Sequence, residues 1–472
     1  MAHNPKSPMG KDTSQPQEGN EPASQEGADS DQSARGKAKQ AGQKHKGESG
    51  RADASSEFVQ HRLLSLDAYR GVIMITLAFS GFGLASTAGN HLKQNPDSPF
   101  WQAMQFQFSH VEWVGWGYWD LIQPSFMFMV GVSMAYSYVK RKRSGQSYGR
   151  MLFHAVWRSI VLILLGIFLI SNWGGSTNWS LVNVLTQIGL GYTFLFLLCG
   201  GKLRTQAIAA SVILVGTWLM YFFFHGPGID PVTGTPEVGV TSEWAQAHLA
   251  EVGAAWHKNT NVGHHIDLWL LNLLPRVDAF SFNGGGYQTI NFVPSLATML
   301  FGLMCGELLR SDRSSGRKFL VLLLAGVGGL VLGLILDSTG LCPLVKRIWT
   351  PSWAIFSSGM CCLMLAVLYG VIDILRIRFW AFPLVVIGMN SIAVYCMYQL
   401  LRPWTANTLK THFGQDLFKL KLSVGDTIHS LVDPSSQAAV NLYEPTIQTA
   451  VVGVMFWLVC WWMYRNKIFV RI

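Results

Sequence analysis

The feature that most constrains this chain is a series of apolar runs, each long enough to cross a bilayer. By the criterion of ~20 residues per helical span, about ten recur near 63–84, 119–139, 152–171, 180–199, 205–224, 291–309, 318–336, 352–373, 380–401 and 449–464. A segment surrounded by lipid must satisfy its own backbone, so each run reads as a helix. The expected fold class is all-α, a polytopic membrane protein of about ten transmembrane helices.

Loop charges test that count. Basic clusters follow every second run: Lys140–Arg143, Lys202 with Arg204, Arg310 to Lys318, Arg376 with Arg378, and Arg465 to Arg471. The positive-inside rule puts all five in the cytoplasm, together with both termini. The other side then receives the long loops 85–118, 225–290 and 402–448, which hold most of the histidines that follow the first apolar run, His110 among them.

Only 13% of the 472 residues are charged, against about a quarter in an ordinary soluble protein. The net charge of +9 resides largely in short loops, as topology signals do, so a nucleic-acid partner is not expected. Residues 1–60 are rich in Gly, Ser, Gln and charges, and cannot bury enough apolar surface to offset ordering. They read as a disordered polar tail without the apolar core of a signal peptide, leaving 61–472 as one transmembrane domain. The seven cysteines form no C-x-x-C pair and lie mostly in apolar runs, so neither a disulfide framework nor a zinc ribbon is expected.

The polar groups that break the apolar pattern are the candidates for chemistry. His110 precedes a Trp-rich turn and could act as a base, although an interfacial histidine is the blander reading. Asp120 stands at the start of a span, where a carboxylate costs up to about 2.5–3.5 kcal/mol and so needs a partner. It could orient His110 and stabilise its protonated form. Asp67 and Arg70 lie three apart on one helix face and read first as an ion pair. Arg70 and Arg158 could also attract an anion from the cytoplasm, against simple snorkelling for Arg158. Lys346 and Arg347 break the charge bias of the outer side, which calls for a local reason; Trp349 and Ser352 follow them. Gln187 and Asn390 are polar groups inside spans, where interhelical hydrogen bonding is the commoner role. His257, His264, His265 and Asp267 match no metalloenzyme signature, so zinc is a minority reading and no metal is expected.

Several of these stretches together resemble the heparan-alpha-glucosaminide N-acetyltransferase family of multispan membrane proteins. The resemblance runs from SLDAYRG (65–71) through His110, Trp113, Gly115, Asp120-Leu121, Pro124, Phe126, Phe128 and Gly131. It continues in Arg158-Ser159, VPSLATMLFGLMCG, the 343–352 stretch and GMNSIAVY. The first two motifs are the most specific. The chain departs from the family at Phe79-Ser80-Gly81, at Thr186-Gln187, at Val345 and in NGGGYQTINFVPS. What the resemblance implies is an acyltransferase that takes acetyl from cytoplasmic acetyl-CoA and delivers it to an amino sugar or glycan on the far side. His110 would serve as base or acyl carrier with Asp120 beside it. The donor would be held by Arg70, Arg158, Gln187, Lys346, Trp349 and Asn390. The resemblance further implies a bacterial-type member without the extra luminal domain, multi-pass in an inner membrane and able to form a homodimer. The alternatives are a transporter or channel lined by Asp67, Asp120, Gln187 and Asn390, or a scaffold of the same fold that has lost catalysis.

Overall fold

The computed structural model describes residues 63–419 and 442–470. The expected tail at 1–60 and part of the loop 402–448 lie outside these residues. Among the described residues the fold is helical, with two isolated β-bridges and no strand. The helices are α1 Leu64–Ala78, α2 Leu84–Gln94, α3 Pro99–Phe108, α4 Ile122–Arg143, α5 Tyr148–Ser171, α6 Val184–Leu198, α7 Leu203–Phe223, α8 Ser242–His248, α9 Val262–Asn272, α10 Phe292–Arg310, α11 Ser315–Ser338, α12 Pro351–Leu368, α13 Phe382–Gly388, α14 Ser391–Phe413 and α15 Glu444–Arg465.

Among the described residues, six helical segments, α5, α7, α10, α11, α12 and α15, are long and apolar enough to cross a membrane. Two bent pairs, α1 with α2 (44°) and α13 with α14 (78°), raise the number to as many as eight. Two of the ten expected spans are not among these eight. The run at 180–199 yields only the 15-residue α6, because Asn183 caps it by accepting from the amides of Leu185 and Thr186. The run at 119–139 becomes α4, whose last turn carries Lys140, Arg141, Lys142 and Arg143. The first run is one span in sequence, but Ser80, Gly81, Phe82 and Gly83 all take positive φ and break it.

The bundle has a centre and a lipid-facing rim. The most apolar window of α10 is 67% buried and that of α12 is 61% buried, whereas only 17% of that of α11 is covered. A helix apolar all round with so little of it covered presents its side chains to lipid. Central packing depends on small residues. Gly302 and Gly306 of α10 are one turn apart, and a Cβ on them would lie 2.0 Å from the Phe128 carbonyl oxygen and 2.7 Å from that of Val132. This is the small-xxx-small device that lets helix backbones touch where lipid supplies no hydrophobic drive. Because 302 meets 128 and 306 meets 132, α4 and α10 run parallel. Trp349, just before α12, bonds Thr298 at 3.4 Å, and Cys362 lies 3.6 Å from Cys305 further along both helices, so α12 runs alongside α10 in the same direction. The N-terminal ends of these three central helices therefore meet at one end of the bundle.

Loops cover that end. Trp113, Tyr221, Trp256, Cys342, Val345 and Ile348 form a buried apolar cluster there. The loop before α4 is tied to the loop before α12 by the Val114–Val345 bridge and by the Gly115 amide donating to the Leu344 carbonyl at 2.9 Å. Gly115 has φ +114°, a conformation that residues with a Cβ rarely adopt. The chain thereby turns back before α4 with Trp113 buried and His110 exposed.

Candidate functional site

Asp120 belongs to a short 3-10 turn, Tyr118–Leu121, that precedes α4. It is not inside the span, as the apolar run had suggested. Only 1% of it is exposed, and its two oxygens are saturated. Oδ2 accepts the backbone amides of Val111 (3.2 Å) and Gly117 (3.3 Å). Oδ1 lies 2.7 Å from Nδ1 of His110 and accepts from Nζ of Lys346 at 3.0 Å. Burial alone would raise this carboxyl. The hydrogen bond from His110 and the charge of Lys346 outweigh it, holding the group below the usual carboxylate range.

Lys346 arrives from the loop before α12, 226 positions away in sequence. It is 6% exposed and also lies 3.0 Å from Nδ1 of His110. A carboxylate oxygen at 2.7 Å and an ammonium cannot both be satisfied by a bare nitrogen lone pair. We assign the proton to Nδ1, donated to Asp120, with Lys346 donating to the same oxygen. Nε2 then carries the lone pair. Among the described residues none bonds it, and the His110 side chain is 45% exposed. Burial lowers the affinity of His110 for a second proton; Lys346 and Arg347 lower it further, while Asp120 works in the opposite direction. The net shift is downward, so the ring is neutral at neutral pH and available as a base.

Arg347 fixes the frame. Its Nε donates to the Val111 carbonyl (3.2 Å), Nη1 to that of Gly285 (2.9 Å), and Nη2 reaches Glu112 at 3.5 Å. Glu112 is also approached at 3.5 Å by Trp244 Nε1. Both contacts are long and the Glu112 side chain is 56% exposed, which makes it a weak brace. The Tyr287 ring lies 5.9 Å from Lys346 Nζ and 5.6 Å from the Arg347 guanidinium carbon. The two basic residues that break the charge bias thus have structural partners in the loops.

The structure brings together His110, Asp120 and Lys346, and sets the other expected donor-binding residues elsewhere. Trp349, three residues after Lys346, has φ +47° and is buried against Thr298, bonding it at 3.4 Å. Gln187 is buried and donates to the carbonyls of Leu181 and Thr289 (2.7 and 3.1 Å). Asn390 stands at the bend between α13 and α14. It latches the C-terminal segment, donating to Ile468 (3.2 Å) and accepting from Val470 (3.0 Å). Arg70 pairs with Asp67 at 3.4 Å and donates to Ser133. Ser133 is eleven residues into α4, or roughly 16 Å along its axis from the His110 end. Arg158 lies ten residues into α5 and packs on Tyr192, with a 3.3 Å bond to its hydroxyl. Its Nε is buried without a hydrogen-bond partner among the described residues, as is Nε of Arg310. Arg310, read in sequence only as a topology signal, binds the Ala135 carbonyl and faces Tyr136.

Among the described residues, His257, His264, His265 and Asp267 do not gather into an ion site. His257 uses both ring nitrogens on the backbone of Ile229 and Val252. Among the described residues no group of three potential ligands comes together. Tyr287 carried no sequence signal beyond lying in NGGGYQ, and Arg347 was marked only, with Lys346, as a charge that breaks the loop bias.

The fold and this end-of-bundle cluster define a class: a multi-pass helical membrane protein with a buried Asp–Lys pair that orients a solvent-reachable histidine. No protein-family model matches the sequence. The chain is 24% identical to the heparan-alpha-glucosaminide N-acetyltransferases of Homo sapiens and Mus musculus, over 87% of its own length in each case. It spans 60% and 61% of those relatives. Identity at this level supports a distant relationship to membrane acetyltransferases.

Proposed function

We propose that this protein is a membrane-embedded acyltransferase. In this reading it moves an acetyl group from acetyl-CoA on the cytoplasmic side to an amino sugar or glycan on the side that bears His110. The observation that carries it is the contact set of His110, Asp120 and Lys346, made by two loops far apart in sequence.

His110 Nε2 is the base. It takes the proton from the acceptor nitrogen or hydroxyl as that atom attacks the thioester carbonyl; the C–S bond breaks, coenzyme A leaves as the thiolate, and the proton passes from His110 to solvent or to that thiolate, while Asp120 stabilises the transient imidazolium across Nδ1. Lys346 acts as a positioning residue: its charge opposes protonation of the ring before reaction, and its bond holds Asp120 in place. Acetyl-CoA supplies the activated acetyl thioester. The Nε atoms of Arg158 and Arg310, without a hydrogen-bond partner among the described residues, fit its anionic groups, and Arg70 stands near the same stretch of α4 as Arg310.

The test is transfer of radiolabelled acetyl from acetyl-CoA to a glucosamine-bearing acceptor by the full chain in proteoliposomes. His110→Ala is expected to lower turnover by about 10²–10⁴-fold, the usual contribution of a positioned base. Full turnover in that variant would remove His110 from the mechanism.

A further inference from the structure

The loop that carries Tyr287 has a second face. Tyr287 also lines a cavity of about 210 Å³ together with Asn178, Ser180, Asp267, Arg276 and Asn283. Drug-sized ligands occupy pockets of about 300–1,000 Å³, so this one suits a single ring.

Asp267 and Arg276 attract each other electrostatically, yet each keeps hydrogen-bonding capacity unused among the described residues. Asp267 is 1% exposed, yet its carboxylate is hydrogen-bonded by a single residue, Thr289, whose amide lies 3.0 and 3.2 Å from its two oxygens. Asp120, equally buried, receives four donors. A buried carboxylate retains acceptor capacity for which a partner is expected. Burial pushes its pKa up to about 6; the charged or titratable groups facing it are Arg276 and Tyr221. Arg276 spends Nε on the Leu271 carbonyl and Nη2 on that of Trp179. Its guanidinium stacks on Phe280 at 5.4 Å, leaving Nη1 uncommitted among the described residues. Asn283 holds the wall rigid by accepting from the amides of Gly285 and Tyr287 (2.9 and 3.1 Å). One acceptor, one donor and two flanking aromatic rings match the hydroxyls and C–H faces of a pyranose. With one carboxylate and one guanidinium the lining has no excess charge for a phosphate.

Neither His110 nor Lys346 lines this cavity; Tyr287 does, with its ring 5.9 Å from Lys346 Nζ, which in turn lies 3.0 Å from His110 Nδ1. A sugar lodged there is therefore not the one that reacts. We propose that the cavity is a subsite for the sugar unit next to the reacting one, so that the protein prefers a glycan of at least two units to a monosaccharide. The preference rests on the acyl-transfer reading for its purpose, while binding itself can be measured without any acyl donor.

The experiment is equilibrium binding to the purified full chain in detergent, with glucosamine and the β-1,4-linked glucosamine disaccharide as probes. The expected result is a Kd at least tenfold lower for the disaccharide. That ratio should fall to near one in Ser180→Phe, which fills the cavity from a half-buried position, and in Asp267→Asn. Folding of each variant is checked by monodispersity on gel filtration and by retained binding of glucosamine. Equal Kd values in the wild-type protein would overturn the subsite while leaving the His110-dependent transfer assay to judge the reaction. A disaccharide preference that survives both substitutions would overturn its location. If neither sugar binds while acetyl turnover still depends on His110, the subsite is overturned and the acceptor is not a sugar.

Discussion

Replacing Asp120 by asparagine isolates what its charge does. The side chain keeps its shape, and one amide oxygen can still accept from the Val111 and Gly117 backbone. The charged contacts cannot survive intact. The Lys346 ammonium, 6% exposed, loses its counter-ion, and Nδ1 of His110 loses the acceptor that fixes its proton. Hydrogen bonds to charged groups contribute about 1.5–3 kcal/mol each, and breaking a buried ion pair by removing one partner costs roughly 3–5 kcal/mol. In catalysis, loss of tautomer control by the same exchange in a Ser–His–Asp triad lowers kcat by ~10⁴. Half-exposed His110 can relax more freely, so a loss of about 10²–10⁴-fold is expected, equivalent to ~2.7–5.5 kcal/mol in the barrier.

A structural defect alone would also lower activity, so the deciding readout is the pH profile of kcat/KM. Asp120 raises the proton affinity of His110, against burial and the Lys346 charge, which lower it. Removing Asp120 therefore lowers the pKa further. The base stays neutral to lower pH, and the acidic limb of the profile moves down even as the plateau falls. Activity within twofold of wild type, or an acidic limb that does not move, would refute the dyad.

Lys346→Met should move the same limb the opposite way, to higher pH, because the Lys346 charge opposes protonation of His110; it is checked by the same profile. Gly302→Leu is expected to destabilise by at least ~3 kcal/mol, since even a Cβ at 302 would overlap the Phe128 carbonyl oxygen, and is read as loss of monodispersity and a lower Tm. Asp267 gives a stability signature as well. Its carboxyl is raised to about 6, so the folded state holds the proton that the unfolded state releases, and wild type loses stability as pH rises from about 4 through 6. Asp267→Asn lacks that dependence, so its Tm relative to wild type should improve between pH 4 and pH 7.5; a constant difference would contradict the raised pKa.

The helical membrane class was legible because lipid leaves a spanning segment few choices, and the apolar runs state that constraint directly. What shortened or broke those runs was local. Asn183 could cap α6 three residues into its run, and the S-G-F-G stretch at 80–83 could leave the helix without a proline to announce it. Gly302 and Gly306 were visible inside VPSLATMLFGLMCG, but their spacing has meaning only against the backbone of α4. Of the candidate site, His110 and Asp120 were readable together because a buried carboxylate demands a partner and the family pattern offered a histidine ten positions away. Lys346 could be noticed only as a charge on the unexpected side. Its contact with Asp120 spans 226 positions, and no local pattern encodes a pairing of two loops.

In the proposed mechanism, that long-range pairing lets one histidine serve two opposed requirements. Before the reaction His110 must be neutral, and burial with the nearby Lys346 and Arg347 charges keeps it so. During the reaction it must accept a proton, which a lone buried carboxylate would favour too strongly, leaving the ring charged beforehand. Asp120 shared between His110 and Lys346 is a compromise between these limits: its Oδ1 is already drawn on by an ammonium, so it stabilises the imidazolium less than an unshared carboxylate would. The same sharing makes the base depend on both loops being docked. The Val114–Val345 bridge and the Gly115–Leu344 bond hold them together, so a substitution that loosens the bridge should alter the pH profile of His110 without touching the histidine.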